Sequence, residues 1–290
     1  MPMTSVTMED QQYTPKALLE YLATRPDKAP VTLEIAKGIL EANTPRDYIS
    51  TTSLTSKCMR AAGLKANTDY TESVEGLWAA WRGTAMHSSL EKAAQGLDGV
   101  VPEARFHTDV AKVLGRRKRA PFSGSPDIVD VGKGEINDWK FTREGKAPRY
   151  GNPWAEHVEQ ANLNRWLVDH STKVEYQGKT WTEVEAFRPM DWTAMRVTYL
   201  DDRGATPITI TKSIQIPKKD GNGTKAARVT DVWSDQQVED LIRDRYPVIE
   251  DSLSGKNIPA PPPGWEHQSH ILCSFCPVRA ACADLEAQGK

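Results

Sequence analysis

Two aspartates and a lysine near the middle of the chain have the types and spacing to act together. The segments Ile128–Val131 and Glu135–Asp138 alternate as two short strands, and the Gly-Lys pair after the first predicts a two-residue type II′ turn. In that register Asp127 lies opposite Asp138, and Lys140 shares the face of Asp138 because side chains alternate along a strand. The pattern predicts that the three groups converge on one point.

Facing aspartates point to cation chemistry. Two opposed carboxylates repel by up to roughly 1 kcal/mol, so a purely structural hairpin gains nothing from the pair. Oxygen ligands of this kind suit Mg²⁺ or Mn²⁺, which keep bound waters that can attack a phosphodiester. Lys140 would orient that water or neutralise the transition state. The alternative is a solvent-facing hairpin with ordinary surface charges.

His87 is a further candidate ligand. It lies in a segment with helical spacing from about Val74 to Gln95, and Glu91 follows one turn later on the same face. The alternative is a histidine that is simply satisfied in the core or at the surface.

The four cysteines make one complete tetrahedral set. Cys58 stands alone, whereas Cys273, Cys276 and Cys282 form a C-x2-C-x5-C cluster close to the other end of the sequence. The first residues do not resemble a secretory signal, so metal chemistry is favoured over disulfides. Structural zinc and an iron-sulfur cluster both remain open, since four thiolates serve either.

Taken in order, these features resemble the PD-(D/E)xK nucleases of the RecB and AddB type, in particular the cysteine-containing branch with the CRISPR-associated iron-sulfur exonucleases, the fourth Cas protein family. The match runs from about Thr51 to Cys282. Its elements are Cys58, Gly83-x3-His87, Gly124-x2-Asp127, Asp138-x-Lys140, a helix with Gln160 and the three terminal cysteines.

The resemblance implies a fold and a set of roles. The fold is an α/β restriction-endonuclease-like core with a mixed central sheet flanked by helices, an N-terminal helical arm and a C-terminal cysteine clasp. The domains are the arm at residues 1–50 and the nuclease domain at residues 51–290. The implied ligands of Mg²⁺ or Mn²⁺ are His87, Asp127, Asp138 and the backbone carbonyl of Trp139, with Lys140 as the catalytic lysine.

It further implies that the four cysteines hold a 4Fe-4S cluster, with zinc as the alternative, and that Gln160 contacts a nucleotide. Two departures stand out. Asp138 replaces the glutamate common in the family, which leaves the metal preference open, and Asn164 replaces the tyrosine of the family's Gln-x3-Tyr motif.

DNA contacts must come from local patches, because a formal charge of −2 and a pI near 6.3 exclude a protein that coats nucleic acid by bulk electrostatics. Arg116–Arg119 is one candidate, with a solvated loop as the alternative. Arg143 and Arg149, near Trp154, mix charge with aromatic faces in a way that suits single-stranded DNA. Trp154 could equally be a core anchor.

Composition predicts an ordinary soluble, cytoplasmic protein. The chain has 290 residues, 39% hydrophobic and 26% charged, with no apolar run long enough to span a bilayer. Helices are expected at Thr14–Thr24, Val31–Ala42, Trp154–His170 and Ser234–Leu253, and strands at Val101–Val113, Phe122–Phe141, Trp181–Pro189, Ala194–Tyr199 and Pro207–Pro217.

The sequence thus predicts a divalent-metal-dependent DNA exonuclease that hydrolyses phosphodiester bonds at DNA ends, on single-stranded DNA, in recombination, repair or CRISPR-type processing. The alternatives are a non-catalytic DNA-binding or adaptation subunit and a structure-specific endonuclease. Gly178-Lys-Thr180 lacks the earlier glycine of a phosphate loop, since Lys173 stands there. A helicase, recombinase or adaptation partner is therefore expected, and no membrane.

Overall fold

The structure is a computed structural model that describes residues 3–8, 10–24, 32–42, 49–142, 153–201, 204–210, 232–265, 270, 273 and 276–288. The chain divides into two compact units. The first comprises Met1–Asp47, Lys57–Met86 and Tyr246–Lys290, and the second comprises Tyr48–Ser56 and His87–Arg245. Arg143 and Arg149 lie outside the described residues.

The helices are α1 (Pro15–Thr24), α2 (Leu33–Ala42), α3 (Thr51–Leu54), α4 (Met59–Asn67), α5 (Val74–Ala94), α6 (Ala155–His170), α7 (Asp235–Leu253) and α8 (Arg279–Ala287). The strands are β1 (Ser5–Met8), β2 (Gln11–Tyr13), β3 (Ile49–Ser50), β4 (Thr71–Ser73), β5 (Val100–Pro102), β6 (Arg105–Asp109), β7 (Pro121–Gly124), β8 (Ile128–Asp130), β9 (Glu135–Phe141), β10 (Lys173–Tyr176), β11 (Lys179–Trp181), β12 (Ala194–Asp201) and β13 (Gly204–Ile210).

The first unit contains a small mixed sheet in the order β2-β1-β4. Val6 and Met8 of β1 are buried against Leu18 and Leu22 of α1. The described residues of the predicted helical arm, 1–50, therefore include strands as well as helices. Those of Met1–Asp47 group with later segments of the chain, whereas β3 belongs to the second unit.

The second unit contains two five-stranded mixed sheets, in the orders β11-β10-β6-β7-β3 and β13-β12-β9-β8-β5. The prediction of an α/β protein with mixed sheet and flanking helices is confirmed, although the strands divide among several sheets. Strands β9 and β12 are parallel, which requires a long crossover, and α6 lies within that crossover. It contacts strands of both sheets, and its residues from Ala161 to Val168 are buried.

One antiparallel pairing passes from sheet to sheet and sets up the candidate site. Strands β5 and β8 pair in one sheet, and β6 and β7 pair in the other. The pairs Pro102↔Ile128 and Phe106↔Gly124 have the same register. Residues 103–104 connect β5 to β6, and residues 125–127 connect β7 to β8. These two connections, called the links below, therefore run side by side between the sheets. Glu103, in one link, consequently lies opposite Asp127, in the other.

The β8–β9 hairpin has the expected register but a different turn. Ile128 pairs with Asn137, and continuing this register by one residue places Asp127 opposite Asp138. The predicted type II′ turn is wrong, because the glycine with positive φ is Gly134, at +68°, in a four-residue turn. Asp130 holds this turn by accepting the backbone N–H of Lys133 at 2.9 Å.

Most predicted helices are confirmed, but one predicted strand is wrong. The cap of α7 is confirmed as a capping box, since Ser234 N donates to Gln237 Oε1 and Gln237 N to Ser234 Oγ. The strand predicted at Trp181–Pro189 ends at Trp181, and a 3-10 turn at Glu185–Phe187 follows. Residues 211–217 of another predicted strand lie outside the described residues.

No helix in the described part of the chain has the length and apolar character that crossing a membrane requires.

Candidate active site

An imidazole and two carboxylates meet in the second unit. His87 Nδ1, near the middle of α5, lies 2.8 Å from Asp127 Oδ1 and 3.2 Å from Glu103 Oε1. Their possible ligand atoms all lie within 4.8 Å of one another. This cluster of His87, Glu103 and Asp127 is called the carboxylate–imidazole cluster below.

The two inter-sheet links hold the carboxylates of this cluster in place. The Glu103 N–H donates to the carbonyl of Asp127 at 3.0 Å, which continues the strand register across the links. Ser125 Oγ donates to the carbonyl of Glu103 at 2.9 Å and lies 3.3 Å from Glu103 Oε2. Glu103 has a φ of +51°. This left-handed backbone conformation is unfavourable for residues other than glycine and is found where the surrounding structure imposes it.

Asp138 extends the carboxylates into a row of three across adjacent strands. Glu103 is opposite Asp127, and Asp127 is opposite Asp138 by the hairpin register. Asp127 and Asp138 are only 4% and 3% exposed. The backbone N–H of Trp139 donates a hydrogen bond to Asp127 Oδ2. The role predicted for Trp139 was different, namely its backbone carbonyl as a metal ligand.

Lys140 completes the arrangement beside Asp138. Its Nζ lies 2.5 Å from Asp138 Oδ2, as expected for neighbours on one strand face, and donates to Gln160 Oε1 at 2.9 Å. Gln160 lies on α6, which packs against β9. The residue predicted to contact DNA thus contacts the predicted catalytic lysine, and its contact with a nucleotide stays a prediction.

The electrostatics of the row favour added positive charge. Burial, followed by the charge of Asp138, raises the pKa of Asp127 to about 7. Burial disfavours charge on His87 as well, but hydrogen bonds to Asp127 and Glu103 outweigh it and raise the pKa of His87 to about 10. Burial also acts against ionised Glu103, yet its bonds to His87 and Asp127 hold its pKa below the usual value.

These donors fit a divalent cation such as Mg²⁺ or Mn²⁺. Carboxylate oxygens are the preferred ligands of both ions. A cation in this row would offset the repulsion between Asp127 and Asp138 that contributes to the raised pKa of Asp127.

Glu91 lies one turn after His87 in α5, as predicted, and accepts a hydrogen bond from Gln95 at 3.3 Å. The sequence missed Glu103, which was expected inside one strand at Val101–Val113. In the structure this segment is two strands, β5 and β6, with Glu103 between them. Recognising Glu103 requires knowing that β5 pairs with β8 and β6 with β7.

The four cysteines lie around one pocket in the first unit. Cys58 directly precedes α4, Cys282 lies in α8, and Cys273 and Cys276 complete the lining. Burial raises the pKa of the thiols of Cys58 and Cys276. Neighbouring thiols that resist ionisation individually become stable thiolates when they share a cation, so the donor set fits a bound metal group.

Two of the sites predicted to contact DNA, Arg116–Arg119 and Trp154, lie among the described residues of the second unit. Arg116–Arg119 lies in the connection between β6 and β7, and Arg119 is exposed beside Asp109. Trp154 precedes α6, is 40% exposed, and packs edge-on against Tyr199 at a ring separation of 5.7 Å. Tyr199 pairs with Lys140 across β12 and β9, so this aromatic face lies next to the lysine strand.

This chain has little similarity to known proteins. No protein-family model and no curated protein matches it. Among solved structures, that of SSO0001 has 16% sequence identity and a TM-score of 0.49, with 92% of this chain and 96% of the other covered. A likeness at that level says nothing about activity.

Proposed function

We propose that the chain is a divalent-metal-dependent deoxyribonuclease of the PD-(D/E)xK type that acts on DNA ends. The observation that carries the proposal is the row of Glu103, Asp127 and Asp138. His87 contacts the first two carboxylates, and Lys140 lies beside the third. A row of buried like charges is costly unless a cation shares it. A lysine held beside such a row has the placement that phosphodiester hydrolysis needs.

Each residue then has a defined task. Asp127, Asp138, Glu103 and His87 would hold Mg²⁺ or Mn²⁺, which activates water and offsets charge on the phosphate when bound. Lys140 places its ammonium where it can orient the attacking water or neutralise the developing negative charge. Gln160 fixes the direction of that ammonium by accepting one of its hydrogen bonds.

A 4Fe-4S cluster on the four cysteines is the structural part of the proposal. All four cysteines line one pocket, which supports a metal group that they share. A structural role is supported because the cysteines and the carboxylate row belong to different units.

The deciding experiment is cleavage of end-labelled linear and circular single-stranded DNA with Mn²⁺, Mg²⁺ or EDTA. Metal-dependent loss of the linear substrate alone is expected for an exonuclease. Asp127→Asn and Lys140→Met should each lower the rate by at least about 100-fold without loss of folding. The exposed Lys179→Met, on β11, is the control and should cleave normally.

The alternatives predict other results. Cleavage of the circular substrate would identify an endonuclease. Binding of DNA without cleavage under any metal would identify a non-catalytic binding or adaptation subunit and overturn the proposal. Polarity, a helicase or recombinase partner, and a role in recombination, repair or CRISPR-type processing stay predictions.

A further inference from the structure

A buried arginine is directed at one of the pocket cysteines. Arg60, in the first turn of α4, is 1% exposed. Its Nε donates to Cys282 Sγ at 3.2 Å, and its Nη2 approaches the carbonyl of the same residue at 3.5 Å. Its Nη1 donates to the carbonyl of Pro259 at 2.9 Å. The guanidinium thus bonds both the side chain and the backbone of Cys282.

The position of Arg60 is fixed from both sides. Helix α4 packs against α8, which carries Cys282. On another side α4 approaches the end of α7 so closely that a Cβ on Gly63 would lie 1.8 Å from Ser252 Oγ. Asn67 Nδ2 also donates to the carbonyl of Ser252 at 2.8 Å. Arg60 therefore cannot swing away from Cys282 without unpacking its helix.

The contact suits Cys282 as a metal ligand, because a cysteine that binds a metal does so as a thiolate. A neutral thiol is a weak acceptor, whereas a thiolate is anionic and forms a charge-assisted hydrogen bond with guanidinium. A cluster with four thiolate ligands carries net negative charge, and hydrogen bonds to its sulfurs together with nearby charge set its reduction potential. Positive charge beside a ligand sulfur favours the reduced state, which is the more negative one.

We propose that Arg60 is a positioning residue for the cluster: it holds Cys282 as a thiolate ligand, slows loss of the cluster and raises its reduction potential. This inference rests on the proposed 4Fe-4S cluster. It concerns a residue for which the sequence pattern gave no role.

The test compares variants of the full chain, reconstituted anaerobically with iron and sulfide. Arg60→Met keeps much of the side-chain volume and removes the charge, and Arg60→Lys keeps the charge and removes the Nε donor. Arg82→Met is the control, because Arg82 is an exposed arginine of the same unit that does not line the pocket. Readouts are iron per chain, the rate of bleaching by a chelator, and the reduction potential by spectroelectrochemistry.

For Arg60→Met we expect at least tenfold faster bleaching and a potential lower by about 59 mV or more, which is a tenfold change in the one-electron equilibrium. Arg60→Lys should fall between Arg60→Met and the parent protein, and Arg82→Met should match the parent. If Arg60→Met does not fold, Arg60→Lys decides, and parent-like bleaching and potential in it would overturn the inference.

The two proposals fail in different ways. If the parent protein takes up zinc but no iron and sulfide, the cluster itself is wrong, and the role of Arg60 in it is wrong too. If the parent holds the cluster and the Arg60 variants bleach and titrate like it, only the role of Arg60 is wrong. Mn²⁺-dependent cleavage of linear DNA, assayed on the same samples, reports the nuclease separately.

Discussion

Glu103, Asp127 and Asp138 compete for positive charge at the residue scale. A proton on His87 supplies some of it: burial opposes that proton, but the hydrogen bonds to Asp127 and Glu103 outweigh burial and raise the pKa of His87, while burial and the charge of Asp138 raise the pKa of Asp127. A divalent cation held by His87, Glu103 and Asp127 would supply more charge. Replacing any one member therefore alters the others, and single substitutions should not be additive.

Glu103→Gln should lower Mn²⁺ affinity about tenfold or more and lower the cleavage rate with it, because one anionic oxygen donor is lost from the row. Affinity is measured by isothermal titration calorimetry on the full chain. Glu183→Gln, an exposed carboxylate in the same unit, is the matched control and should bind Mn²⁺ normally. Unchanged affinity in Glu103→Gln would remove Glu103 from the metal site.

Gln160→Leu should lower kcat about tenfold to 100-fold and leave KM for DNA within about twofold, since Gln160 acts through the Lys140 ammonium. Gln160→Glu keeps an acceptor at that place and should recover part of the rate. A rise in KM with unchanged kcat would instead assign Gln160 to DNA binding, as the sequence predicted.

The β8–β9 hairpin shows how one element depends on a single glycine. Gly134 has positive φ, and a Cβ there would lie 1.9 Å from the carbonyl oxygen of Asp191. The conformation and the close approach both exclude a side chain, and the turn they protect sets the register of Asp127 against Asp138.

Gly134→Ala should therefore reduce the free energy of unfolding by about 3 kcal/mol or more, from strain and steric overlap together. Gly178→Ala separates the two effects, because Gly178 has φ of +72° but open space where the added methyl group would lie. It should cost only about 1 kcal/mol. Urea unfolding followed by tryptophan fluorescence measures both, and equal losses would contradict the steric argument.

If the chain binds DNA as proposed, the exposed Trp154 at the start of α6 is expected to stack on a base. Trp154→Ala should weaken binding of a single-stranded oligonucleotide by about 1–3 kcal/mol, the range for loss of one stacked base, and Trp154→Phe should recover part of it. Trp181, on β11, is 41% exposed and is a matched control. Fluorescence anisotropy in Ca²⁺, without cleavage, gives the affinities, and equal effects of Trp154→Ala and Trp181→Ala would rule out a specific platform.

On the scale of the whole molecule, the two candidate centres belong to different units. The four cysteines lie in the first unit, and the carboxylate–imidazole cluster lies in the second. Cys58 and the three later cysteines come from segments far apart in the sequence, so a shared cluster would close a very long loop of chain. Closing such a loop lowers the conformational entropy of the unfolded chain and thereby stabilises the folded state.

Cys276→Ala should accordingly remove the visible absorbance of the cluster, lower solubility and the melting temperature, and expose the first unit to limited proteolysis. Mn²⁺ affinity should stay within about twofold of the parent value, because the residues of the row lie in the other unit. Asp284→Asn, an exposed change on α8, is the control. Full stability without the cluster would refute its structural role.

Local patterns in the sequence determined much of what surrounds the site. Helical spacing located α5 and α6, Ser234 marked the start of α7, and strand alternation gave the register that opposes Asp127 to Asp138. Each of these depends on residues only a few positions apart, so periodicity and capping chemistry suffice to identify them.

Only the tertiary structure brought Glu103 opposite Asp127, Gln160 to Lys140 and Arg60 to Cys282. These pairs join segments that meet because strands pair and helices pack, and no local period encodes which segments will meet. The sequence by itself thus identified most of the candidate residues, while packing between distant segments added Glu103 and Arg60 and decided which of the candidates lie together.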